Sequence, residues 1–185
     1  MKLDKSVFIK ACLRSSYSIL KSQVPRASNT LFRQALILLF LTFPIFAETV
    51  ANFALFDING NRILFYKILS ELNSDEKIIL NFTSVHCKPC EIEITELISL
   101  KEKRKNMKLF VIFAEQGEDV REKMKKLNLD EVFIDPIGTL QGKFGVKGYP
   151  VTIIINKNAQ KLISIEGYSS ENIKTITKYL APQKN

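Results

Sequence analysis

Three cysteines and a single histidine, His86, are all the thiol and imidazole groups in this 185-residue chain. That scarcity excludes a good deal. A structural zinc site wants a full set of cysteine or histidine ligands, and no second cysteine pair exists to complete one around Cys87 and Cys90. A disulfide scaffold would use more pairs at wider spacing. Covalent haem attachment needs a histidine directly after a Cys-x-x-Cys, whereas Glu91 follows Cys90. Long apolar runs are missing too: the longest uncharged stretch, 34–47, has 14 residues, short of the roughly 20 that span a bilayer. Neither an internal repeat nor a low-complexity segment interrupts the chain.

Acidic residues are scarce at one end only. Within 1–47 seven basic side chains face Asp4 alone, while the remainder balances 20 basic against 18 acidic. The net charge of +8 and pI near 9.4 therefore belong largely to the N-terminal part. A nucleic-acid surface needs positive charge clustered on the folded domain, so no nucleic-acid partner is expected. The basic flank followed by the apolar run Ala35 to Ala47 has the form of a secretory signal. Pro44 breaks the run, and Ile45 and Ala47 fall at the −3 and −1 positions of a cleavage site after Ala47. An uncleaved short anchor, giving N-terminal membrane association, and an organelle presequence stay open as alternatives. So does a translation start near Leu31. The expected division is a targeting region or short anchor, 1–47, and one domain, 48–185, placed in the periplasm or another extracytoplasmic space. Cys12 falls in the first part, which leaves the domain one cysteine pair.

The domain alternates short apolar runs with amphipathic ones. Phe53 to Phe56 and Arg62 to Phe65 flank a turn at Asp57-Ile58-Asn59-Gly60-Asn61 and read as a β-hairpin. A short helix over 66–72 follows. Lys77 to Phe82 is too continuously apolar for an edge strand. A helix after Cys90 is expected to end in the basic run 101–105, which suits the negative end of its dipole. Further strands are expected at 108–114, 132–134, 151–155 and 161–166, with helices at 118–128, 139–144 and 170–180. The fold class is α/β: a mixed central sheet flanked by helices on both faces, with an N-terminal β-hairpin.

Cys87-Lys88-Pro89-Cys90 sits where a buried strand gives way to a helix. Unpaired amide N–H groups and partial positive charge at a helix start stabilise a thiolate. Pro89 is tolerated in the first turn, where its missing N–H would be unpaired anyway, and Lys88 adds a cation. Cys87 is then the nucleophile and Cys90 the resolving thiol. No cofactor beyond this redox-active pair is expected. Glu93, three residues after Cys90 and close to Glu91 and Glu96, has the setting of a solvated helix face. His86 either favours the thiolate when protonated or merely occupies the surface.

The run Asn81-Phe82-Thr83-Ser84-Val85-His86-Cys87-Lys88-Pro89-Cys90, with Phe133-Ile134-Asp135-Pro136-Ile137-Gly138 and Gly145-Val146-Lys147-Gly148-Tyr149-Pro150 in order behind it, resembles the TlpA/ResA-like branch of the thioredoxin superfamily over about residues 50 to 180. The resemblance implies a four- or five-stranded thioredoxin-like sheet, Pro150 in cis facing the cysteines, and a glutamate at the position of Glu93 that serves the resolving cysteine. It also implies an exported thiol-disulfide oxidoreductase, fed by a membrane or thioredoxin-type electron donor and acting on disulfides of exported clients, apocytochromes c among them. Tyr149 and Pro150, with His86, are the expected client-binding residues. The sequence departs from the family at Thr83 and His86, which stand where tryptophans are usual and are expected at the surface of the site. Val151 also intervenes before Thr152. Asn81 takes the place where thioredoxins proper often carry a buried aspartate. A peroxiredoxin is set aside because Leu80 and Ser84 occupy the proline and threonine positions of its motif. A copper-binding chaperone, for which two soft thiolates would serve, and a non-catalytic binding module on the same fold are the rival functions.

Overall fold

The computed structural model describes residues 48–181. The expectations placed on the signal segment and Cys12 lie outside the described residues. Twelve elements follow one another: β1 (Ala54–Asp57), β2 (Arg62–Leu64), α1 (Phe65–Ser70), β3 (Lys77–Thr83), α2 (Lys88–Lys103), β4 (Met107–Phe113), α3 (Glu118–Leu127), β5 (Val132–Ile134), α4 (Thr139–Phe144), β6 (Val151–Asn156), β7 (Lys161–Glu166) and α5 (Ser170–Leu180). No helix among the described residues is long and apolar enough to cross a membrane.

The strands form one mixed sheet in the order β2-β1-β5-β4-β3-β6-β7. β3 lies parallel to β4 and antiparallel to β6, and all seven of its residues are buried. A strand covered on both faces and both edges has no place for alternating polar side chains, hence its continuous apolar sequence. Seven strands exceed the four or five that the family resemblance implies. The two extra are the β1–β2 hairpin, which pairs through Phe56↔Ile134 with β5 and so lengthens the sheet. In its turn the Asp57 carboxylate accepts the N–H of Asn59 and of Asn61, both at 2.8 Å, and Gly60 takes the φ of +83° that closes the hairpin.

Strand alternation sorts the side chains into two cores. On one face Leu80 and Phe82 join Phe53, Phe65, Phe110 and Ile153 beneath α1 and α4. On the other Ile79 and Ile154 meet Ile94 and Leu97 of α2 and Ile176 of α5. Each fully buried side chain of this kind contributes about 1.5–3 kcal/mol. Phe65, expected to end β2, starts α1 instead: it is fully buried and stacks on Phe53 with ring centroids 4.4 Å apart, a contact its sequence neighbours do not announce. By the same alternation Asn81 and Thr83 fall on the α2 side of β3. Two polar residues thus interrupt an otherwise apolar interior, directly beneath the helix that carries the cysteines.

Candidate active site

β3 ends at Thr83, and Ser84, Val85 and His86 carry the chain to Cys87, the N-cap of α2. The Cys87 sulfur accepts the backbone N–H of Cys90 at 3.2 Å, and the two cysteines form a disulfide with Cα atoms 5.3 Å apart. The sulfurs differ in setting: Cys90 is fully buried, Cys87 only partly. Lys88 and Pro89 occupy the first two helical positions, and both are exposed, as is His86. A 16-residue helix directs its positive end at Cys87, the arrangement that favours a thiolate there.

The loop before Cys87 is fastened from the neighbouring strand. Glu115, just beyond β4, accepts the Ser84 hydroxyl at 2.5 Å and the Val85 N–H at 3.1 Å. Farther along α2, Glu91 pairs with Lys123 (2.5 Å) and Lys126 (2.8 Å) of α3. Those two ammonium groups draw its carboxyl down to about 2. Neither contact was legible in the sequence, because each joins residues about thirty apart with nothing local to signal it.

Glu93 has no solvent exposure, which removes the solvated-face alternative. Its Oε2 accepts an N–H of Asn81 at 2.9 Å, and the same amide nitrogen donates to Thr152 Oγ1, also at 2.9 Å. Burial pushes the Glu93 carboxyl up to about 7, against the opposing pull of the Asn81 hydrogen bond and of the nearby Thr152 hydroxyl, and with a further push from Glu96. Thr83, expected at the surface, is buried: as the last residue of β3 it pairs with Phe113 of β4, and its side chain turns inward beneath α2.

The Tyr149–Pro150 peptide is cis. Pro150 is buried and precedes Val151, the partner of Phe82, so it lies beside the end of β3 from which the cysteine loop departs. The Tyr149 hydroxyl donates to Gln141 Oε1 at 2.5 Å, and the Gln141 N–H donates to the buried Asp135 carboxylate at 2.8 Å. Burial, then the charges of Glu115 and Asp135, raise the Tyr149 phenol above its ordinary range, keeping it neutral. Among the described residues, two depressions open on this end of the domain. The larger, about 550 Å³, is apolar and lined by Phe53, Phe56, Ile134, Ile137 and Leu140 at the far side of β5. A groove of about 420 Å³ between Val85, His86, Asp119, Glu122, Lys123 and Lys126 borders the cysteine loop itself.

A mixed sheet with helices on both faces, carrying a disulfide across the first turn of a central helix, defines a thiol-disulfide oxidoreductase of the thioredoxin fold. The chain belongs to the AhpC/TSA family, whose sequence model matches residues 46–162. It is 28% identical over 138 residues to the thiol-disulfide oxidoreductase ResA of Bacillus thuringiensis subsp. konkukian, an alignment covering 71% of this chain and 76% of that protein. Among solved structures it resembles a thiol-disulfide oxidoreductase from Bacteroides fragilis (TM-score 0.58, 18% identity, 72% of this chain and 100% of that one). It also resembles the pneumococcal exposed lipoprotein thioredoxin of Streptococcus pneumoniae (TM-score 0.52, 23% identity, 70% and 98%). At those identities the structural likeness speaks for the fold, and the placement in the TlpA/ResA-like branch stands on family, relative and fold together.

Proposed function

We propose that the domain is an exported reductase of disulfides in other exported proteins, working through the Cys87–Cys90 dithiol. The observation that carries this reading is the asymmetry of the pair: Cys87 is reachable at a helix start, while Cys90 is sealed one turn in beside the buried Glu93. In the reduced protein the Cys87 thiolate attacks a client disulfide, forming a mixed disulfide and releasing one client sulfur as a thiolate that takes up a proton. Cys90 loses its proton to Glu93 and attacks the Cys87 sulfur; the second client sulfur leaves, and the internal disulfide remains. An electron donor of membrane or thioredoxin type then returns the pair to the dithiol. His86 and the adjoining groove, with the backbone around Tyr149 and Pro150, receive the client chain.

Export is supported by the basic and apolar N-terminal segment and by the likeness to a lipoprotein described as exposed. A domain of about 138 residues also has little room for the helical insertion of DsbA-type oxidases, which favours the reducing direction. Apocytochromes c awaiting haem are a client class that fits.

Two measurements test this. Cys90→Ala should accumulate mixed disulfides with clients through Cys87, and Cys87→Ala should accumulate almost none; equal trapping by both would reverse the assignment. Insulin reduction by the wild-type chain should turn over with a reducing donor. Absence of turnover together with tight copper(I) binding, or with no redox chemistry at all, would favour the chaperone or the non-catalytic module.

A further inference from the structure

β3 and β6 bring two neutral side chains against Glu93 in a defined arrangement. Asn81 and Thr152 are register partners across the two strands, and Asn81, Thr152, Thr83 and Glu93 are all buried. The Asn81 amide nitrogen donates to Glu93 Oε2 and to Thr152 Oγ1. An amide has two N–H groups, so this pair of contacts uses both and fixes which way the amide faces. Glu93 Oε1 is left without a partner, as is Asn81 Oδ1. The two carboxylate oxygens are therefore unlike. A proton placed on Oε2 would confront the N–H that already points at it, whereas Oε1 is open to receive one.

We propose that Asn81 and Thr152 are positioning residues for the resolving step, holding Glu93 by Oε2 so that Oε1 is the oxygen that takes the Cys90 proton. This rests on the reading of Glu93 as the base for Cys90, which stands three residues earlier on the same helix and is likewise buried. Both positioning residues are uncharged, so they favour the carboxylate by hydrogen bonding alone. The titratable groups acting on Glu93 are Glu96 from its own helix and Tyr168 from the β7–α5 connection, the latter bonded to Glu96 at 2.8 Å. β3 and β6 contribute only Asn81, Thr83 and Thr152, none of which titrates.

The test is the pH dependence of the resolving step in the full chain, measured as single-turnover release of a peptide held on Cys87. In wild type the rate should rise with pH along a limb that Glu93→Gln abolishes. Thr152→Val keeps the side chain's shape, removes its hydroxyl and lets the amide turn; it should move that limb upward by about half to one pH unit. Thr152→Ser, which keeps the hydroxyl, should restore it. Asn81→Asp places a second carboxylate against the first and should move the limb upward by about one to two units. If Glu93→Gln abolishes the limb while Thr152→Val leaves its midpoint in place, the positioning role is overturned and Glu93 stands as the base. If Glu93→Gln leaves the limb intact, the reading of Glu93 itself falls. Should Asn81→Asp fail to fold, the Val and Ser variants at position 152 decide alone.

Discussion

Two sulfurs a single helical turn apart meet different surroundings, and the difference comes from where each sits on α2: Cys87 caps the helix in the open loop, while Cys90 faces the interior with Glu93. A buried carboxyl shifted in this way leaves a mark on stability. With its ordinary value near 4.5 in the unfolded chain and about 7 in the folded one, Glu93 binds a proton more tightly when folded. Its contribution is full below about pH 4.5 and is lost as pH rises through 7. Thermal unfolding of the disulfide form, compared with Glu93→Gln between pH 5 and 9, should show wild type losing about 2–3 kcal/mol relative to the variant across that window. A difference that stays flat with pH would mean that Glu93 is ionised in the folded protein as it is in the unfolded chain, so that its carboxyl is not raised. The sequence announced the cysteines by their spacing and Glu93 through the family resemblance. It was silent on Thr152 and Glu115 as neighbours of the site, because their partners lie 71 and about 30 residues away. Thr83 was misplaced because a polar residue at a strand end reads as exposed until the adjoining strands are seen to enclose it.

Among the elements, α2 is held at its business end by α3. Glu91 sits in the first turn, where the helix dipole already favours a negative charge, and Lys123 and Lys126 reach it from across the helix pair. Because these groups are partly solvated, screening keeps the coupling small. A double-mutant cycle on Glu91→Gln and Lys123→Met should return about 0.5–1 kcal/mol. With the Glu91 carboxyl lowered to about 2, that coupling should be complete above about pH 4.5 and fade as pH falls toward 2. A coupling independent of pH would assign it to packing. Most element types and positions were readable from periodicity, and β5, α4, β7 and α5 fall within the limits expected for them. Boundaries moved by a residue or two wherever a tertiary contact, such as the Phe53–Phe65 stack, outweighed local preference.

For the molecule as a whole, the sheet has a polarity that separates the start of the described chain from the cysteines. Thr49 bridges Gln160 beside the β6–β7 turn, near the start of β3, whereas Cys87 follows its end, about 23 Å away for a strand of this length. If the leader is removed after Ala47, the mature chain begins at Glu48, and N-terminal sequencing from the producing cell should find it there. Cleaved and uncleaved chains should reduce insulin at the same rate, while an intact chain recovered from the cytosol would overturn the export assignment. The docking of the hairpin onto β5 could not be read in advance, since pairing between strands some eighty residues apart has no local signature. A further link is short in sequence. Asp135, Gln141 and Tyr149 are joined in a line of hydrogen bonds, so two of the three landmarks that mark the family in sequence are, in space, one object. Their inheritance should be coupled: a lineage that replaces Tyr149 with phenylalanine strands the Gln141 carbonyl and relieves selection on that glutamine, so among descendants of this protein the two positions should drift together while Cys87 and Cys90 stay fixed.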